Sequence, residues 1–141
     1  MDSILTSIKK LLGISEEYDH FDSDIIMHIN TVFMNLTQLG VGPPEGFIIE
    51  DELPVWSDFI GDAAVSLEAV KSYTYLKVKL LFDPPLSSAV IESTNRMISE
   101  LEWRINQAVE SSGSANGYID VDKTTATITD GILYITEENR Q

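Results

Sequence analysis

Apolar positions recur at helical spacing over four stretches of the chain, and a final stretch follows another period. Ile4, Ile8, Leu11 and Leu12 mark one face of a short first helix. Asp2 or Ser3 can cap its start, and Gly13 suits its stop. So short a helix is marginal alone and must dock on something. A second helix opens at Asp22 or Ser23, whose side chains suit an N-cap. Ile25, Ile29, Val32, Phe33, Leu36 and Leu39 hold its period until Gly40, Gly42 and Pro43-Pro44 end it.

Residues 46–54 read as a loop or irregular strand, apolar at Phe47-Ile48-Ile49 and acidic at Glu50-Asp51-Glu52. A third helical stretch begins near Leu53-Pro54 with the cluster Trp56, Phe59 and Ile60. Gly61 interrupts or bends it, and the pattern resumes through Ala63, Ala64, Leu67, Val70, Thr74, Val78 and Leu81. Tyr73, Tyr75, Leu76 and Leu80 widen the apolar face, so this helix is either central or shared with a neighbouring subunit. Phe82-Asp83-Pro84-Pro85-Leu86 forces a turn, because two prolines fix φ and remove donors. Ser87 or Ser88 then caps a long helix with Val90, Ile91, Thr94, Met97, Ile98, Leu101, Ile105, Ala108 and Val109 on one stripe. The short connection makes the last two helices antiparallel neighbours, a hairpin over Lys71–Val109. Trp103 falls off the stripe; it either covers the hairpin's edge or meets a partner subunit.

Beyond a small polar run at 111–117 the period becomes two. Two short strands flank Asp130-Gly131, a strong hairpin-turn pair. The expected fold is mainly α: a small helical bundle built around a long antiparallel helix hairpin, with a short C-terminal β-hairpin. The expected partition is a helical domain at 1–110, a linker at 111–117 and a hairpin or assembly arm at 118–141. An isolated two-stranded hairpin is marginal in water, so this one packs on the helices, pairs with another subunit or orders on assembly.

Charge sharpens the picture more than size does. The 141 residues suit one domain with one core, and 43% hydrophobic content excludes a disordered composition. Formal net charge is -14, and between Leu11 and Val70 there are 12 carboxylates but no lysine or arginine. Such a surface repels phosphates, which speaks against sequence-specific nucleic-acid binding. It serves solubility, faces a basic partner, or lines a passage through which a polyanion slides. No apolar run is long enough to span a membrane, and the N-terminus lacks the leading charge of a signal peptide; an intracellular protein is expected.

Candidate chemistry is sparse. No cysteine is present, so disulfides, thiolate metal sites and a cysteine nucleophile are excluded. His20 and His28 lack a third ligand at usable spacing. There is no glycine-rich phosphate loop, zinc-ligand cluster or nucleophile elbow. Neither an enzyme nor a cofactor or metal is expected.

The order of segments carries one resemblance. The short helix ending Lys9-Lys10-Leu11-Leu12-Gly13-Ile14, the acidic helix from Asp22, the Phe82-Asp83-Pro84-Pro85 turn and Glu100-Leu101-Glu102-Trp103-Arg104 on a long helix are its marks. Over about residues 1–110 the chain resembles the head-tail connector (adaptor) proteins of tailed bacteriophages with long non-contractile tails, and of related prophages. The resemblance implies a structural virion protein that forms a ring, commonly dodecameric, joining the portal protein to a stopper or tail-completion protein. It implies a DNA channel that helps retain packaged DNA without sequence-specific binding, a place at the head-tail interface after assembly in the host cytoplasm, and no membrane. Subunit or partner contacts are expected at Tyr73, Tyr75, Leu76, Leu80, Trp103, Tyr118, Ile132 and Tyr134. The alternative is a small acidic helical adaptor, or a DNA-mimic inhibitor, that binds a basic protein.

Overall fold

The computed structural model describes residues 3–61, 65–116, 126–129 and 132–135. They form a mainly helical bundle of five helices: α1 (Ile4–Leu12), α2 (Asp22–Gln38), α3 (Trp56–Ile60), α4 (Leu67–Phe82) and α5 (Ser88–Asn116). The chain divides into two compact units, Met1–Val109 and Glu110–Gln141.

The first unit has one core, and α2 enters it through the face its periodicity marks; elsewhere the expected stripe is kept only in part, with Leu11, Leu81, Val90 and Met97 exposed and Leu5 buried. α1 contributes Ile4, Leu5 and Ile8, and α2 contributes Ile25, Ile29, Val32, Phe33 and Leu36. Val70, Tyr73 and Val78 come from α4, and Ile98 and Ile105 from α5. Ser3 caps α1, its Oγ accepting from the Thr6 N–H at 2.9 Å. Gly13 closes it in the left-handed region at φ 83°, with Gly13 N–H donating to the Lys10 carbonyl and Ile14 N–H to that of Lys9. α2 starts one residue earlier than its expected caps require. Phe21 is its N-cap, without a side-chain bond, because Asp22 is turned to Lys9 instead.

The residues between α2 and α3 are neither helix nor strand, yet they are firmly tied. The Asn30 amide reads the backbone of Ile49 in both directions: Nδ2 donates to the Ile49 carbonyl at 3.0 Å, and the Ile49 N–H donates to Oδ1 at 2.8 Å. Ile4 N–H donates to the Pro54 carbonyl at 2.9 Å, and Ser3 forms a single antiparallel bridge with Val55. Buried Ile49 is thereby paired like a strand residue without a strand. On α3, Phe59 stacks on Phe33 with ring centroids 4.1 Å apart, and buried Trp56 donates its Nε1–H to Ser7 Oγ at 2.8 Å.

Gly61, at φ 62°, ends α3, and α4 begins only at Leu67, capped by Ser66; expected stripe positions Ala63 and Ala64 lie outside the described residues. The closest helix pair is α2 with α4, and α1 packs on both. This corrects the expected centre of the bundle: α2, not α5, is the helix nearest to α4. The two ends meet through rings, with Phe82 at the end of α4 against Phe21 at the start of α2, centroids 5.3 Å apart. α5 stands further out and reaches α4 by side chains, including a hydrogen bond from Tyr73 to Glu102. Beyond Gln38, Gly40 lies against Val109 of α5.

α5 continues through Asn116, into the small polar run read as a linker. Serine and alanine tolerate a helix once its preceding turns are formed. In the second unit the described backbone includes β1 (Ala126–Thr129) and β2 (Ile132–Ile135), paired antiparallel with Ala126 opposite Ile135. The Asp130-Gly131 turn and the rest of the expected 118–141 arm lie outside the described residues.

Candidate assembly surface

Helices α4 and α5 diverge enough to leave a groove between them. It has a volume of about 620 Å³ and is lined by Leu11, Glu68, Lys71, Ser72, Tyr75, Leu76, Met97, Glu100 and Leu101. Its floor is apolar and its rim carries Glu68, Lys71 and Glu100. Helical spacing accounts for the lining: Lys71, Ser72, Tyr75 and Leu76 share one side of α4, and Met97, Glu100 and Leu101 share one side of α5. Leu11, at the end of α1, closes one wall and is 48% exposed, while Met97 is 47% exposed.

The expected contact residues separate into groups. Tyr75 and Leu76 are half-buried and line the groove, and Leu80 is half-buried one turn further along α4. Trp103 is 63% exposed. It follows Glu100 by three residues, about 60° around the helix axis, and Leu101 by two, about 200°, so it flanks the groove on the Glu100 side without lining it. Tyr73 is fully buried, and its hydroxyl donates to Glu102 Oε2 at 2.7 Å. Burial first, then the hydrogen bond and the negative charge of Glu102, hold its phenol well above the ordinary tyrosine range. Lys77 Nζ sits 5.4 Å from the centroid of the same ring. Tyr118 lies outside the described residues, as do the side chains of Ile132 and Tyr134.

Of the groove residues only Tyr75 and Leu76 are among the contacts expected from sequence, and the apolar Leu11, Met97 and Leu101 are not. All three occupy apolar stripe positions, and periodicity alone assigns such positions to the core. Their place in the groove follows from how α1, α4 and α5 come together, which no local pattern encodes.

The acidic run is borne on the surface. Glu16, Glu17, Asp19, Asp24, Glu45, Glu50, Asp51, Glu52, Asp58 and Glu68 are all exposed. Asp22 differs: its Oδ1 lies 2.8 Å from Nζ of Lys9, a lysine only 2% exposed, which also donates to the Glu16 carbonyl at 3.0 Å. Among the described residues no group of three or more His, Asp or Glu is arranged to hold a metal ion, and no helix is long and apolar enough to cross a membrane.

Comparison with curated proteins and with solved structures finds no match. Comparison with protein families finds one over residues 4–112, from the first residue of α1 into the last turns of α5. That span holds the whole core, the groove and Trp103, and the chain belongs to the phage connector protein family.

Proposed function

We propose that this chain is a structural subunit of the phage head-tail junction that joins portal to tail as a ring of identical copies. The observation that carries the reading is the open apolar groove between α4 and α5. A ring needs a head-to-tail contact, in which one patch meets a different patch on the next copy. The groove and Trp103 supply such a pair. Trp103 is not part of the groove lining, so the two are separate patches, and a tryptophan from one copy inserts between α4 and α5 of the next. The rim charges Glu68, Lys71 and Glu100 then orient the contact at its edge.

The exposed carboxylates support the second half of the reading. A ring that extends the DNA channel must let the duplex pass, and a surface without counter-charge offers phosphates no grip. The chain has no catalytic part in this reading. The arm at 118–141, with Tyr118, Ile132 and Tyr134, serves contacts made during assembly with the portal protein, with the stopper or tail-completion protein, or with a neighbouring copy.

The test is ring formation on purified portal, followed by sedimentation and electron microscopy. Leu76→Glu and Trp103→Ala should each leave the monomer folded and prevent ring closure. Normal rings from both variants would overturn the assignment of the contact.

A further inference from the structure

A second surface, on the other side of α2's core-facing stripe, is not used by the groove or by Trp103. We infer that it docks a segment of a partner protein that combines apolar side chains with lysine or arginine. The site is a cleft of about 500 Å³ between α2 and the loop that follows it, lined by Met34, Thr37, Gln38, Glu45, Phe47 and Ile48. Met34 and Ile48 are each 62% exposed. Met27, 58% exposed, precedes Met34 by two helical turns and extends the same apolar strip. Unbranched methionines adapt their shape to an incoming side chain, and the volume suits a few such side chains.

Charge complementarity identifies the occupant. Glu45 stands in the lining, and exposed Glu50 and Asp51 follow on the same loop, before Glu52, which faces a separate cleft beside Lys9. No lysine or arginine occurs between Leu11 and Val70, the stretch that contains both walls. Nucleic acid and anionic lipid carry the wrong sign for this surface, and a basic protein segment carries the right one. The loop is also held in place before anything binds. Asn30 pins Ile49 through two hydrogen bonds, and the Gly46 N–H donates to the Pro43 carbonyl at 2.9 Å. A preformed wall spares the ordering cost of binding. The inference does not depend on ring formation, because the two surfaces share no residue.

The probe is a labelled helical peptide of about four turns with leucine on one face and lysine on the other, titrated with the full chain by fluorescence anisotropy. A peptide with the same lysines and serine in place of leucine is the control for bulk attraction to an acidic protein. Tight binding should require both features: roughly tenfold or more should be lost with the serine peptide, and likewise with a Met34→Ser, Ile48→Ser double variant. That variant changes no charge and alters only exposed side chains. Amide shifts in the unaltered protein should centre on Met34–Gln38 and Phe47–Ile48. Equal affinity of the double variant, or shifts centred on α4 and α5, would overturn the proposal.

Discussion

Tyr73 and Glu102 form a hydrogen bond of 2.7 Å between the buried face of α4 and α5, and it joins two helices whose backbones stand apart. The phenol is the donor, so the bond exists only while Tyr73 keeps its proton. Its folded-state pKa lies above the ordinary value of about 10 in an unfolded chain. The stability it contributes is therefore complete below about pH 10 and lost as pH rises further, toward the folded value. A Tyr73→Phe variant should lose about 1 kcal/mol near neutrality, since Glu102 is part-exposed and regains water. Phenolate absorbance should show one tyrosine of the wild type ionising only as the fold opens, and that step should be missing from the variant.

The second prediction concerns the loop before α3. Asn30→Ala removes both partners of buried Ile49, leaving a backbone donor and acceptor unsatisfied. The cost should be about 2 kcal/mol by urea unfolding. Asn30→Asp keeps an acceptor for the Ile49 N–H but turns a carboxylate toward the Ile49 carbonyl, so it should rescue little. Limited proteolysis should cut between Gly46 and Pro54 faster in both variants.

Asn30 also shows where reading the chain from its pattern stops. The stripe of α2 translates directly into the core, because period and burial express the same geometry, whereas on α1 the core takes Leu5 beside Ile4 and Ile8 and leaves Leu11 exposed. Glu100 and Arg104, four residues apart on α5, pair at 2.8 Å, a contact that helical spacing alone encodes. What a linear pattern lacks is the identity of the partner helix. Chain proximity favours α5 as the mate of α4, yet α2 lies closer, since it buries five large apolar residues against the same space. Tyr73 was legible as apolar surplus; only the position of Glu102, 29 residues away, makes it a core residue with a satisfied hydroxyl. Asn30 and Ile49 carry no local signal for each other at all. The groove was half legible: Tyr75 and Leu76 stand out on a helix with too many apolar sides, whereas Leu11 and Met97 look like ordinary core positions.

Lys9 and Asp22 make a third test. The ammonium is almost wholly buried, and the carboxylate keeps about a quarter of its side-chain exposure. Asp22→Asn leaves a buried positive charge with only a carbonyl and an amide for company, and should cost about 2 kcal/mol. Lys9→Met has similar volume and leaves behind a carboxylate that water can reach, so its cost should be smaller, about 1 kcal/mol. Urea midpoints should fall in that order. The reverse order would mean that the ammonium reaches solvent.

Two glycines with nearly the same backbone angle separate conformational from steric demands. Gly13 has φ 83° and Gly42 has φ 81°. A Cβ at Gly13 meets nothing within 4 Å, so Gly13→Ala should cost only the left-handed backbone penalty of about 1 kcal/mol. A Cβ at Gly42 would stand 2.5 Å from Cε1 of Phe59. That ring cannot retreat, because it stacks on Phe33 at 4.1 Å and packs against Phe47 at 5.3 Å between centroids. Gly42→Ala should therefore add an overpacking cost to the backbone penalty, roughly 3 kcal/mol in all. Calorimetric melting of the two variants should show the larger drop at position 42. A second substitution, Phe59→Leu, removes the ring and should shrink the effect of Gly42→Ala toward that of Gly13→Ala, because the two residues share one contact. If the double variant is instead additive, the strain at Gly42 comes from its backbone alone.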